Sequence, residues 1–128
     1  MTPMKKQKNG QTLITLLIFM VIGITVTAAA VVLTISGSIK ASKFQEGQIT
    51  YQIAESGAEN ALMQRLRNPS YTGETITING APVTITVSGT NPITITSTAL
   101  NGNYQRKIQI VAIDTNGILT VNSWNEVF

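Results

Sequence analysis

The stretch GQTLITLLIFMVIGITVTAAAVVLTISGSI, residues 10–39, decides how this chain folds. It holds no charged residue and no proline. Lys5, Lys6 and Lys8 stand before it, Lys40 and Lys43 after it. As an α-helix, segment 13–35 would span roughly 35 Å at about 1.5 Å per residue, enough to cross a hydrocarbon core of about 30 Å. Gly23 and Ser36-Gly37-Ser38 are its weakest helical points. The chain beyond Ile39 is too polar to share this environment, so the sequence divides into an apolar stem and a water-exposed head.

The chain has 128 residues. Beyond the stem about 90 remain, enough for one small domain with a modest core. There is no cysteine to staple that domain, and no histidine, which removes the commonest general base and metal ligand. The net charge of +3 comes from the leader. Past Gly10, Lys40, Lys43, Arg65, Arg67, Arg106 and Lys107 are balanced by Glu46, Glu55, Glu59, Glu74, Asp114 and Glu126, six against six. No basic stripe runs through the head, so no specific nucleic acid is expected as a partner. Three lysines before the stem against two after it favour a cytoplasmic N-terminus.

Residues 40–68 carry a helical pattern. Phe44, Tyr51, Ala54, Ala58, Ala61, Leu62 and Leu66 recur at spacings of three, four or seven, one helical face; Phe44, Tyr51, Ala54, Ala58, Leu62 and Leu66 are expected to pack the helix onto a sheet. Arg65 and Arg67 suit a helix C-terminus, and Asn68-Pro69 stops it. From Tyr71 the period becomes two: 75–78, 83–87, 93–96, 104–113 and 118–124 read as five strands separated by Asn79-Gly80, 89–92, 101–103 and 115–117. One strand face is Ile and Val, the other Thr, Gln and Ser. The fold class expected is α+β, with a long N-terminal helix, half transmembrane and half amphipathic, packed on an antiparallel meander of about five strands.

The leader and stem together resemble the type IV pilins and type II secretion pseudopilins. The resemblance rests on Lys5-Lys6-Gln7-Lys8-Asn9-Gly10 followed by Gln11-Thr12-Leu13-Ile14-Thr15-Leu16-Leu17, where the family has a short basic leader ending in Gly and then an F-T-L-I-E-L-L pattern. It implies a leader over 1–10 that a membrane prepilin peptidase cuts after Gly10, leaving Gln11 as a new N-terminus and a candidate for N-methylation. It implies a filament-core helix over 11–39, with Thr12, Leu13, Ile14, Thr15, Leu16, Leu17 and Gly23 in assembly, an amphipathic helix over 40–68, and a β head over 69–128. The implied partners are the inner membrane, other pilin subunits and the pilus assembly machinery. The implied location is single-pass in the cytoplasmic membrane, then in an extracellular or periplasmic filament.

Thr15 stands where most of the family has Glu. A carboxylate within a stem costs about 2.5–3.5 kcal/mol on insertion scales, so it persists where a partner neutralises it; in the family that partner is thought to be a neighbouring subunit's amino terminus. The Thr15 hydroxyl can only bond back to the Gln11 carbonyl or to a neighbour. Tip-type pseudopilins and some minor pilins also lack this Glu, and the stretch Ala54-Glu55-Ser56-Gly57-Ala58-Glu59-Asn60-Ala61-Leu62 looks like a pattern of their helices. Both features favour a minor or tip-associated subunit.

Plainer readings stand beside this one. The stem suffices for a single-pass anchor on an exported β-domain that binds a partner without polymerising, and Thr27-Ala28-Ala29-Ala30 allows a head released after Ala30. Glu55 and Glu59 read as a solvated face, Asp114 to Gly117 as a hairpin turn without the further acids of a calcium loop, and Arg106-Lys107 as a solvated pair on opposite strand faces. No catalytic motif, cofactor signature or metal-ligand cluster is present, so an enzyme is not expected.

Overall fold

The computed structural model describes residues 7–128. One helix, α1, covers Gln7–Arg67. Five strands come after it: β1 Gly73–Ile78, β2 Ala81–Ser88, β3 Ile93–Asn101, β4 Tyr104–Thr115 and β5 Ile118–Val127. They form one antiparallel sheet in the order β1-β2-β3-β4-β5. The fold is α+β, a long helix on a five-stranded meander. The chain separates into two compact units, 1–42 and 43–128.

Within 43–128 the alternation of the strands dictates the layers. Val83 and Ile85 of β2, Ile93, Ile95, Ser97 and Ala99 of β3, and Ile108, Ile110 and Ala112 of β4 are all buried. Their register sets them side by side: Val83 against Ala99, Ile85 against Ser97, Ile95 against Ile110, Ser97 against Ile108. The intervening threonines face the other way, because successive side chains alternate between sheet faces. Thr75, Thr84 and Thr98 stand in one cross-strand row. Between Ser123 and Val121 the β4–β5 register skips Asn122, a bulge opposite Val111 and Ala112.

The helix meets this sheet through small residues. Gly47, Thr50, Ala54, Gly57, Ala58 and Ala61 are buried, with Ile53 as the one bulky member of the set. Their spacing of three and four traces a single helical face. Ala54 and Ala58 therefore pack as the periodicity predicts, and Tyr51 and Leu62 lie half-buried beside them. Phe44 and Leu66 do not: they are 70% and 53% exposed. The large apolar residues mark the helix's ends and flanks, whereas close approach to a sheet of branched side chains selects residues with little or no side chain.

The turns obey their residues. Asn79-Gly80 and Asn116-Gly117 both take positive φ, the conformation that two-residue hairpins require. The loop 89–92 is clamped to the end of β4, with the Asn91 amide donating to the Asp114 carbonyl (3.0 Å) and the Asp114 amide donating to Asn91 Oδ1 (3.2 Å). Asp114 Oδ1 accepts the Gly117 amide at 2.9 Å, so its carboxylate closes the β4–β5 turn.

Gly73 opens β1 at φ +122°, and a Cβ there would collide with the Ile85 carbonyl oxygen of β2. That obstacle is backbone and cannot rotate away. Gly73→Ala is therefore expected to cost about 2–4 kcal/mol, the sum of left-handed strain and overpacking. Hydrogen exchange should show the loss first in β1, which pairs on one side only.

Candidate membrane and assembly helix

The apolar stem is one helix long and apolar enough to cross a membrane, and none of its most apolar window is buried within the chain. Leu13, Ile14, Leu16 and Leu17 are all exposed, as are Ile22, Ile24, Val31 and Leu33 on later turns. This side-chain surface is apolar around the whole circumference, which is the pattern of a helix surrounded by lipid or by other helices rather than of one lying on a core. Exposure on this scale marks an interaction surface.

The stem's polar side chains are arranged to tolerate such surroundings. Thr15 Oγ1 donates to the Gln11 carbonyl at 2.9 Å, the bond its position predicts. Thr25 donates to the Ile22 carbonyl (2.8 Å), Thr27 to Gly23 (2.7 Å) and Thr34 to Ala30 (2.9 Å). Each hydroxyl so spends its proton inside its own helix. In hydrocarbon this matters, because an unsatisfied polar group there costs several kcal/mol.

Gly10 and Gln11 lie within α1, and Thr12 through Leu17 continue it without interruption. The Gly10–Gln11 bond is thus helical, and nothing lies within 4 Å of where a Gly10 Cβ would stand. Residues 1–6 of the expected leader, with Lys5 and Lys6, lie outside the described residues. Gly23 sits in a shallow groove lined by Met20, Ile24, Thr27, Ala28 and Val31, a notch where another helix backbone can approach closely.

The head holds few polar contacts among its buried groups. Arg106 Nη1 pairs with Glu126 Oε1 at 2.6 Å, bridging β4 and β5, and its second terminal nitrogen lies over Gly47. Asn101 donates to Glu46 Oε2 at 3.2 Å, tying the β3–β4 turn to the helix. Ser97 Oγ and Trp124 Nε1 are buried without a hydrogen-bond partner. Among the described residues no three His, Cys, Asp or Glu side chains cluster in a way that could hold a metal.

At the helix C-terminus, Arg65 Nη1 donates to the Tyr71 carbonyl (3.2 Å) and the Tyr71 hydroxyl donates to Glu74 Oε1 (3.1 Å). Burial, then the hydrogen bond to Glu74 and that carboxylate's charge, push the Tyr71 phenol from 10.0 up to about 12. The folded state holds this proton more tightly than the unfolded chain does. Its contribution is complete below pH 10 and is lost as pH rises towards 12. Because the ring stays partly solvated, about 1–2 kcal/mol is expected to disappear over that window. Tyr71→Phe should flatten the pH dependence of thermal unfolding there, and tyrosinate absorbance should show one late-titrating phenol fewer.

Of the residues expected to pack the helix on the sheet, Ala54 and Ala58 are buried, Tyr51 and Leu62 are half-buried, and Phe44 and Leu66 are exposed. Sequence reasoning missed Gly47, Thr50 and Gly57, whose signal is the recurrence of small rather than of greasy residues. Comparison with protein-family models, curated proteins and solved structures finds no match to this chain.

Proposed function

We propose that this chain is a structural subunit of a type IV pilus or a related pseudopilus-like filament, cut after Gly10 by a prepilin peptidase and assembled through its N-terminal helix. The observation that carries the reading is the join of a lysine-rich leader and Gly10 to Gln11-Thr12-Leu13-Ile14-Thr15-Leu16-Leu17 on a helix whose large apolar side chains are exposed among the described residues. In the membrane, with the N-terminus cytoplasmic, lipid covers that surface. In a filament, the stems of other subunits replace lipid, and the Gly23 groove supplies a place for close helix contact. The role is structural, not catalytic.

Thr15 gives the subunit its character within that reading. Its hydroxyl is neutral and bonded to its own helix; it offers no charge to a neighbour's amino terminus and leaves stem packing to set the register. A minor or tip-associated position, which needs fewer neighbours than a shaft position, fits this. The alternative is a single-pass anchor for an extracytoplasmic β-domain that binds a partner and never polymerises.

Mass spectrometry of the N-terminus of the native protein, taken from membranes, separates the two. A chain starting at Gln11, with or without an added methyl, supports the filament subunit. A chain that retains Met1 to Gly10 overturns it in favour of the plain anchor.

A further inference from the structure

The head unit leaves unpartnered rings at one corner. Phe44 is 70% exposed and Phe128 fully so. Phe44 shares a helical stripe with Gln48 and Tyr51, one and two turns on. Gln48 and Tyr51 line a small pocket with Arg106 and Glu126. Arg106 and Glu126 in turn line the next hollow with Lys107 and Phe128. Leu100, exposed, stands opposite Gln105 at the same end of the β3–β4 hairpin, and Asn101 of that hairpin holds Glu46. Phe44, Leu100 and Phe128 thus mark a single end of the head, the end at which its helix begins.

The charged side chains at this end are Lys43, Arg106 and Lys107 with Glu46 and Glu126. Arg106 is spent on Glu126, and Glu46 is engaged by Asn101. Lys43 and Lys107 form no ion pair among the described residues.

Phe44 also lies five positions past Ile39, the last residue of the apolar stem. Whatever the path between them, five residues reach at most about 18 Å. The polar headgroup zone extends about 5–8 Å beyond the hydrocarbon on each side, so a chain whose stem lies in lipid up to Ile39 lets Phe44 reach that zone and carries it no more than about 10–13 Å past it. Exposed aromatic rings beside lysines are the composition that membrane interfaces favour.

We propose that this end of the head is a lipid-docking surface, with Phe44 and Phe128 as interfacial anchors and Lys43 and Lys107 facing anionic headgroups. The inference rests on the stem being in the membrane. It adds that the unassembled subunit is held at two places, so that extraction into a filament must release the head as well as the stem.

The chain's lack of cysteine allows clean spin labelling. Single cysteines at Asn103, in the β3–β4 turn, at Asn116, in the turn at the far end of β4, and at Ile24, in the stem, are labelled in the full chain. The protein is reconstituted at high lipid-to-protein ratio in vesicles of phosphatidylcholine with a minority of phosphatidylglycerol. The expected result is severalfold lower access of a water-soluble nickel chelate to label 103 than to label 116. Phe44→Ser with Phe128→Ser should abolish the difference, and omitting phosphatidylglycerol should reduce it. Equal access at 103 and 116 with label 24 shielded overturns the docking surface alone. A water-accessible label 24 overturns the membrane stem and the docking surface with it. Shielding at 103 that appears only at low lipid-to-protein ratio would assign the corner to contact between copies and overturn the lipid assignment.

Discussion

Gly57→Leu is expected to destabilise the head by about 2–4 kcal/mol. Gly57 is buried where α1 crosses β2 and β3. A Cβ built there would lie 2.5 Å from Ser97 Oγ and 2.6 Å from Val83 Cγ1. Two effects oppose each other. Leucine is favoured over glycine in a helix interior by about 0.8 kcal/mol. Overpacking a close-packed contact costs about 1–3 kcal/mol, and more when several atoms must move. Leucine adds atoms well beyond Cβ, and Val83, being β-branched, has little rotamer freedom with which to yield, so overpacking wins. For a head of this size each kcal/mol shifts the melting temperature by roughly 4–8 °C, so thermal unfolding of the detergent-solubilised chain should show a drop on the order of 10–25 °C. The milder Gly57→Ala isolates the cause. Ser97→Gly removes the nearer obstacle, and a double-mutant cycle should find the pair less damaging than the sum of the singles. Strict additivity would mean that Ser97 is not what limits the approach.

Replacing Gly10 by alanine is the test with the largest functional effect. Nothing lies within 4 Å of the position of the new methyl group, and alanine is the better helix former by about 1 kcal/mol. The substitution therefore leaves the folded chain intact and, if anything, firms its first turns. Under the proposed function it should nevertheless block maturation, leaving a membrane-bound precursor that keeps residues 1–10 and is absent from filaments. The readout is the N-terminal mass together with the distribution of the chain between membrane and sheared filament fractions. Normal maturation of the alanine variant would remove the main support for the filament subunit. The contrast between an unchanged fold and lost processing makes the result informative, because a structural role for Gly10 would predict the reverse.

Much of this architecture is legible in the residues themselves. Strand positions are set out by period-two runs such as Val83 to Val87, and two hairpins by Asn79-Gly80 and Asn116-Gly117, because both signals are local: alternation needs only adjacent residues, and positive φ is a property of single residues. β3 runs on to Asn101 past the alternating stretch 93–96: Ser97 and Ala99 are small and polar or weakly apolar, and pairing with Ile85 and Val83 on one side and Ile108 and Arg106 on the other keeps them in the ladder. The stem's character is legible for the same reason as the turns: an uncharged run of that length carries its meaning without a partner.

By itself the sequence determined a membrane-length apolar helix, an α+β head and five strands in meander order. Tertiary structure alone decided which residues along the helical face reach the sheet. Greasy spacing points to Phe44 and Leu66, yet those residues are exposed while Gly47, Thr50 and Gly57 are buried. The physical reason is distance. A sheet face built of Ile93, Ile95, Ile108, Ile110 and Val83 already fills the space between the layers, so the helix gains most by bringing its backbone close, and only small residues allow that. Hydrophobicity says that a residue prefers to leave water. How much room remains where it would go depends on the opposing layer, and that is known only once the layers are in place.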